Sequence, residues 1–257
     1  MNAANDNGGS GSIVLIGAGP GDTDLLTLRA VSRLREADVV LYDDLAGDAI
    51  LLFANPLADL IAVGKRAGHP SPKQSELNRL MIGFAKQGKR VVRLKAGDPA
   101  IFARADEELV AAREAGIAVE IVPGITTPTA AAAYLGASLT KRGVARRLQM
   151  VTGHDIDGQL PSDLDLDALA DPGATTCVFM GKATFPALAE QLMARGLPAD
   201  TPTVVVESLG TAAPRKYAGT LQTIAKALAL VRPSGPCLIL YGAALQDVVA
   251  DEPLLSH

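Results

Sequence analysis

The chain contains no tryptophan, and aromatic residues make up only 4% of its 257 residues. A site that stacks bases or cages a cation on aromatic rings would therefore have few residues to draw on. Charged residues, glycine or proline interrupt every apolar run well short of the roughly 20 residues that cross a bilayer, so no membrane association is expected. The polar segment 1–11 has neither a basic region nor an apolar core, and we expect a disordered tail there.

Cysteine is scarce and positive charge is not in excess. Cys177 and Cys237 each lie in an apolar run without Cys-x-x-Cys spacing, which predicts reduced core thiols in a cytosolic protein. The 24 Lys and Arg residues and the 28 Asp and Glu residues give a net charge of −4. The chain therefore lacks the excess of positive charge that is typical of nucleic-acid-binding proteins. His154 and His69 have no third ligand at metal-site spacing, so no metal is predicted.

Apolar residues are plentiful. They make up 48% of the chain, and the length fits two medium-sized domains better than one large core. In the first half, short β-branched runs alternate with Ala- and Leu-rich amphipathic segments, a pattern typical of βαβ units and a mainly parallel sheet. We predict an α/β protein with an N-terminal domain over 12–122 and a C-terminal domain over 126–247.

The predicted elements follow this rhythm. The strands of the first half are predicted at Ser12–Gly17, Val39–Tyr42, Leu60–Val63, Arg90–Lys95 and Ala118–Ile121. The helices of the first half are predicted at Leu25–Glu36, Ser75–Gln87 and Arg104–Ala115, followed by an Ala-rich helix at Pro128–Leu135.

The second half is less regular and predicts a mixed, partly antiparallel sheet. Its strands are predicted at Leu148–Thr152, Thr175–Met180, Thr203–Glu207, Lys216–Thr220 and Cys237–Tyr241, and its helices at Phe185–Arg195 and Leu221–Leu230.

A glycine-rich turn, Gly17-Ala18-Gly19-Pro20-Gly21-Asp22, joins the first strand to the first helix. Such a turn at the carboxyl end of a parallel strand lets the backbone approach a ligand closely. A dinucleotide fingerprint would need glycine where Asp22 stands, and Pro20 removes an amide donor. A carboxylate at position 22 would also repel a pyrophosphate, so the turn argues against dinucleotide binding.

A second small-residue turn follows the strand Arg90–Lys95. Ala96 and Gly97 leave room for a ligand, and Asp98 offers a carboxylate to a hydroxyl or a cation, although a plain turn is the alternative. Arg104 and Glu107, three residues apart, form either a solvated ion pair or a guanidinium aimed at substrate carboxylates and oriented by its neighbour.

Together these motifs resemble the tetrapyrrole methylase family in order and spacing, from about Ile13 to Leu245. The motifs that carry the resemblance are Gly17–Asp22, Val63-Gly64-Lys65-Arg66, Arg93–Pro99 with Phe102 and Arg104, Val122-Pro123-Gly124-Ile125-Thr126, and Thr152-Gly153-His154. The resemblance implies two α/β domains, S-adenosylmethionine in the cleft between them, and a homodimer.

The resemblance also implies an activity and a set of site residues. It implies two successive C-methylations of uroporphyrinogen III, giving precorrin-2 and S-adenosylhomocysteine, in siroheme or cobalamin synthesis. The positions that match cofactor contacts are Pro20, Ala96, Gly97, Asp98, Ile101, Thr126, Thr127, Met180, Gly210 and Cys237. The positions that match the tetrapyrrole face are Asp43, Leu45, Arg104 and Glu107, with Asp43, Arg104 and Glu107 in catalytic roles. The cations expected near substrate carboxylates are Lys65, Arg66, Lys141, Arg142, Arg146 and Arg147.

The chain departs from the family pattern around Arg104. Ala96, Ala103, Ala105 and Asp106 stand where the family usually has glycine, and the last two add bulk and negative charge beside Arg104. A methylase of a later corrin precursor therefore remains an alternative, as does a module that binds S-adenosylmethionine or a tetrapyrrole without turnover.

Overall fold

Two five-stranded sheets organise the chain, one in each of two units. The computed structural model describes residues 11–43, 48–64, 73–231 and 233–250. The contacts between residues divide the chain into an amino-terminal unit, Met1–Thr126, and a carboxy-terminal unit, Thr127–His257.

The sheet of the amino-terminal unit is entirely parallel, in the order β3-β2-β4-β1-β5. Its strands are β1 (Ser12–Gly17), β2 (Val39–Tyr42), β3 (Asp59–Ala62), β4 (Arg90–Lys95) and β5 (Val119–Val122). The helices of this unit are α1 (Leu28–Glu36), α2 (Asp48–Leu51), α3 (Gln74–Lys86) and α4 (Ala105–Glu114). The carboxyl ends of all five strands therefore lie at one edge.

Strand β1, which lies between β4 and β5 in this sheet, is buried on both faces and is apolar at every interior position. Val14 and Ile16 belong to a cluster with Leu34 of α1, whereas Ile13 and Leu15 belong to a cluster with Met81 of α3. Alternate residues of a strand share a face, so two helix layers require a nearly continuous apolar strand.

The sheet of the carboxy-terminal unit is mixed, in the order β6-β7-β10-β8-β9. Its strands are β6 (Arg147–Thr152), β7 (Ala174–Phe179), β8 (Pro202–Glu207), β9 (Arg215–Thr220) and β10 (Cys237–Tyr241). Its helices are α5 (Thr127–Leu135), α6 (Leu166–Leu169), α7 (Phe185–Ala194), α8 (Leu221–Leu230) and α9 (Gln246–Ala250). Strands β6 and β7 are parallel, and β10 is antiparallel to both β7 and β8.

The predicted fold class is confirmed: the first sheet is parallel and the second is mixed. The bounds of β1, β2, β4 and β10 match the prediction, and those of the other strands shift by one residue at one end or at both. The predicted start of the first helix at Leu25 is wrong. Residues 23–25 form a 3-10 turn, Leu26 is extended, and α1 begins after Thr27, whose side chain accepts a hydrogen bond from the Ala30 N–H.

The predicted start of the third helix at Arg104 is also wrong. Arg104 precedes α4 in a left-handed conformation, with a φ of 57°. Helices α2, α6 and α9 were not predicted, because four or five residues are too few to show a helical period. Only the Arg104 difference bears on the candidate site.

Candidate active site

Two glycine turns pair with each other beyond the ends of β1 and β4. The Gly19 N–H donates to the Gly97 carbonyl at 3.1 Å, and the Gly97 N–H donates to the Gly19 carbonyl at 2.7 Å. Both residues have positive φ, 68° and 67°, a conformation that costs glycine least. The pairing brings two turns of mostly small residues together at the carboxyl edge of the sheet.

A third turn, after β5, packs directly on these two. A Cβ atom added to Gly124 would lie 2.3 Å from the Gly97 carbonyl oxygen and 2.7 Å from the Gly17 carbonyl carbon. All of these neighbours are backbone atoms and cannot swing aside. We call Gly17–Gly21, Ala96–Pro99 and Pro123–Ile125 the three-turn platform.

Asp98 ties the platform together. Its Oδ1 accepts a hydrogen bond from the Ala100 N–H at 2.8 Å, and its Oδ2 accepts one from the Gly124 N–H at 3.0 Å. A carboxylate oxygen accepts more than one hydrogen bond, so both oxygens keep capacity for a ligand. The predicted ligand contact is thus also a structural link between two turns.

The predicted cofactor residues of the amino-terminal unit gather around this platform. Pro20, Ala96, Gly97 and Asp98 lie within it, Ile101 lies in the turn that follows, and Thr126 follows its third turn. Thr127 is the first residue of α5 in the other unit.

The segment between the platform and α4 is strained. Phe102 and Arg104 have φ values of 49° and 57°, a region that side-chain-bearing residues seldom occupy. Nine residues line a groove of about 380 Å³ beside this segment: Pro99, Ala100, Phe102, Ala103, Arg104, Ala105, Asp106, Leu109 and Ile121. Arg104 thus has a strained backbone and also lines the groove.

Arg104 donates hydrogen bonds to Glu107 from two nitrogens of its guanidinium. Nε lies 2.6 Å from Oε1, and Nη2 lies 2.8 Å from Oε2. The hydrogen bond from Arg104 lowers the pKa of Glu107. Both side chains are exposed, so the pair itself stabilises the fold little. The arrangement sets a fixed, accessible guanidinium at the start of α4.

Asp43, the third predicted catalytic residue, directly follows β2. Its Oδ2 lies 3.0 Å from Nη2 of Arg93 on the neighbouring strand β4. Its Oδ1 is buried and has no hydrogen-bond partner among the described residues. Leu45, Lys65 and Arg66 lie outside the described residues.

Met180, Gly210 and Cys237 come together at one edge of the second sheet. Strand β10 runs antiparallel to β7 and β8, so its first residues lie beside the last residues of both; Cys237 pairs with Glu207, and Leu238 pairs with Phe179. Met180, Ser208 and Gly210 have positive φ at this edge. Of the three predicted residues, Met180 therefore has a strained backbone, and Gly210 has a conformation that glycine adopts without strain.

Glu207 holds this edge together and was not predicted. Its Oε1 accepts hydrogen bonds from the Gly235 N–H at 2.7 Å and the Ser234 hydroxyl at 3.3 Å, and its Oε2 accepts one from the Tyr217 hydroxyl at 2.9 Å. The Gly235 N–H is the main cause of a lowered pKa at Glu207. A charged residue ending the valine-rich strand Pro202–Glu207 was the signal available in the sequence.

The two cysteines are free and poorly reactive. Burial raises the pKa of the Cys177 thiol to about 12 and that of the Cys237 thiol to about 11. A thiol that keeps its proton at neutral pH is a weak nucleophile. Cys237 is therefore suited to contact a ligand, not to react with one.

Several of the cations expected near a substrate have partners in the fold. Lys141 lies 2.8 Å from Asp247, and Arg147 pairs with Asp171. Arg142 and Arg146 are exposed. Within the described ranges, no group of three or more His, Cys, Asp or Glu residues is placed to hold a metal ion. No helix in the described part of the chain has both the length and the apolar character needed to cross a membrane.

Comparisons with known proteins agree with this geometry. Residues 12–225 match the family model of tetrapyrrole (corrin/porphyrin) methylases. A siroheme synthase from Gluconobacter oxydans is 44% identical over 241 residues, which cover 93% of this chain and 50% of that protein. A chloroplastic S-adenosyl-L-methionine-dependent uroporphyrinogen III methyltransferase from Arabidopsis thaliana is 42% identical over 97% of this chain and 66% of that protein.

A solved structure matches over its whole length. The uroporphyrin-III C-methyl transferase from Thermus thermophilus, in complex with S-adenyl homocysteine, aligns with a TM-score of 0.79 and 37% identity, covering 92% of this chain and 100% of that one. The chain spans about half to two thirds of the length of the two curated relatives.

Because the three-turn platform is closely packed, a methyl group added to Gly124 should destabilise the folded protein. We expect Gly124→Ala to lower the free energy of unfolding by about 1–3 kcal/mol, because backbone atoms of two other turns must move. The control is Gly83→Ala inside α3, where an added Cβ meets nothing within 4 Å and helix propensity should raise stability by about 0.5–1 kcal/mol. Urea unfolding followed by circular dichroism measures both; equal effects would contradict the packing argument.

The Glu207 carboxylate should make stability depend on pH. Its folded pKa lies below the ordinary 4.5, so its stabilisation is complete above that pH and is lost as pH falls through the folded pKa. We expect Glu207→Gln to cost about 1–3 kcal/mol at neutral pH and progressively less in acid. Urea unfolding across pH measures this, with the exposed Glu190→Gln as the control for loss of one carboxylate. A cost that stays constant into acid would contradict the assignment.

Proposed function

Because the chain belongs to the tetrapyrrole (corrin/porphyrin) methylase family, we propose that it transfers methyl groups from S-adenosylmethionine to two carbon atoms of uroporphyrinogen III, giving precorrin-2. The observation that carries the proposal is the three-turn platform, at the sheet edge where α/β folds bind ligands. The similarity to the solved S-adenyl homocysteine complex over 92% of the chain supports it.

The residues present suit S-adenosylmethionine. The paired turns meet at glycine, which lets a ligand approach the main chain closely. The Asp98 carboxylate retains lone pairs for a hydroxyl or for positive charge. The family resemblance adds Met180, Gly210 and Cys237 as proposed cofactor contacts, and none of the three carries a charged side chain.

S-adenosylmethionine supplies a sulfonium methyl group: a pyrrole carbon bonds to it as the methyl–sulfur bond breaks, and the electron pair stays on sulfur. The chain has no covalent step to perform. Its residues must align the reactants and exclude water, which accounts for much of the acceleration in such a displacement. The methylated macrocycle must then lose a proton, and a residue of the chain can accept it.

We assign these tasks to the residues predicted from the sequence. Arg104, exposed and held by Glu107, binds a carboxylate of the tetrapyrrole with its planar fork. Asp43, which directly follows β2 and whose side chain is 29% exposed, accepts the proton. Lys65, Arg66 and Leu45 complete the tetrapyrrole face by family resemblance. The same resemblance supports a cytosolic homodimer, which sedimentation and fractionation would test.

Incubation of the pure chain with uroporphyrinogen III and methyl-labelled S-adenosylmethionine tests the activity. Labelled precorrin-2 is the expected product, and S-adenosylhomocysteine should raise the melting temperature whereas NAD should not. Label transferred only to a later precorrin would identify a later step instead. A folded protein that binds S-adenosylhomocysteine but labels no tetrapyrrole would be a binding module, and the proposal would be wrong.

Arg104→Lys tests the tetrapyrrole face. Lysine keeps the charge and loses the two-armed geometry, so kcat/KM should fall about 10- to 150-fold, the equivalent of one charged hydrogen bond. The affinity for S-adenosylhomocysteine should hardly change, because the three-turn platform is separate in sequence from Arg104.

Arg33→Lys is the matched control. Arg33 of α1 also grips a carboxylate with two nitrogens, Nε at 2.6 Å and Nη2 at 3.3 Å from Glu120, but has no predicted role. Its kinetics should match those of the wild type. If Arg104→Lys also matched the wild type, Arg104 would be only a surface partner of Glu107.

A further inference from the structure

Three buried charged side chains, Arg93, Lys95 and Glu108, form a network with the partly exposed Asp43. Lys95 Nζ lies 2.8 Å and 2.9 Å from the two oxygens of Glu108, Arg93 Nε lies 3.5 Å from Glu108 Oε1, and Arg93 Nη2 lies 3.0 Å from Asp43. Glu108 is fully buried, and Arg93 and Lys95 are 6% and 4% exposed. Two positive and two negative charges balance within the network.

The network occupies positions on β4 at which apolar residues would be expected. Val91, Arg93 and Lys95 share one face of β4, and Val91 lies in the apolar cluster between that face and α3. Burying ion pairs is costly, and replacing them with packed apolar residues often leaves stability unchanged or improves it. Stability therefore does not explain why charges occupy the carboxyl end of this face.

Arg93 is the member that reaches Asp43. Its Nη1 donates to the Leu94 carbonyl at 2.8 Å and to the Leu41 carbonyl at 3.4 Å, and its Nε faces Glu108. These hydrogen bonds to main-chain carbonyls of β2 and β4 fix the guanidinium beside Asp43. Burial lowers the pKa of Lys95, and the paired Glu108 opposes that shift.

We propose that Arg93 is a positioning residue that orients the Asp43 carboxylate for proton transfer, with Glu108, itself paired with Lys95, as the counter-charge beside Arg93 Nε. The inference rests on the proposed function, in which Asp43 accepts the proton. Arg93 occupies one oxygen of Asp43 and leaves the other without a partner among the described residues. The carboxylate is thereby held in one orientation, while its side chain remains 29% exposed.

Glu108 extends this arrangement to the start of α4. It is adjacent in sequence to Glu107, the partner of Arg104, and also accepts a hydrogen bond from Gln74 of α3 at 3.2 Å. One network therefore connects the residue proposed to take the proton with the helix whose start carries the residue proposed to hold the substrate.

The test compares Arg93→Gln and Arg93→Lys with the wild type. Arg93→Gln removes the charge while leaving the Lys95–Glu108 pair, and we expect kcat to fall about 10- to 150-fold. Arg93→Lys should recover part of that loss, because an ammonium can still donate to Asp43 without the planar fork. KM for the tetrapyrrole and the affinity for S-adenosylhomocysteine should stay near wild type, since Arg93 is not assigned to either ligand.

Arg90→Gln is the matched control. Arg90 lies three residues earlier on β4 and also grips an aspartate, with its Nε and Nη2 at 3.2 Å and 3.0 Å from Asp38. Its side chain is 52% exposed at the opposite end of the strand. Its loss should leave kcat unchanged.

The outcomes separate the two proposals. A wild type that methylates no tetrapyrrole overturns the proposed function and the role of Arg93 together. An active wild type whose Arg93 variants keep full kcat overturns the role of Arg93 alone. Variants that lose S-adenosylhomocysteine affinity as much as kcat, or that both fail to fold, assign Arg93 a purely structural role and also overturn the inference.

Discussion

The candidate site depends on backbone meeting backbone at one edge of a parallel sheet. Gly17, Gly97 and Gly124 approach so closely that a single added Cβ would collide with main-chain atoms of a neighbouring turn. Parallel strands bring their carboxyl ends to that edge, and glycine allows the turns beyond them to touch. Asp98 then links two of these turns through backbone N–H groups. The positions of the other groups proposed for the site follow from this packing.

Patterns that are local in sequence predicted most of the fold. Apolar strands and small-residue turns identified β1, β4 and the three-turn platform, because strand burial and turn chemistry depend on adjacent residues. What the sequence could not reveal was long-range pairing. In the sequence Arg93 looks like an ordinary strand residue, because its partner Asp43 lies 50 residues away, directly after the neighbouring strand. Glu207 likewise finds its partners in β9 and in the turn that precedes β10. The left-handed conformation of Arg104 was missed because no local rule predicts strain in a residue with a side chain.

The amino-terminal unit contains an exposed charge pair and a set of buried ones, and we assign them different roles. The Arg104–Glu107 pair is exposed, so water screens it and its arginine remains accessible to a ligand. The pairs among Lys95, Glu108 and Arg93 are buried, where desolvation makes each charge costly unless the others are present. An exposed pair suits recognition of a carboxylate-bearing substrate. A buried network suits the precise orientation of a neighbouring carboxylate.

Each unit secures its strained turns with a carboxylate that accepts backbone hydrogen bonds: Asp98 in the first unit and Glu207 in the second. Positive φ values follow the ends of β4, β7 and β8, the positions where ligand contacts are proposed. Such conformations cost free energy and persist only when surrounding bonds fix them. A carboxylate that accepts several hydrogen bonds from N–H or O–H groups supplies that restraint. The fold thus meets the same requirement twice, with different sheets and different residues: Asp98 lies within one of the turns that it links, whereas Glu207 ends the strand that precedes the positive-φ residues Ser208 and Gly210.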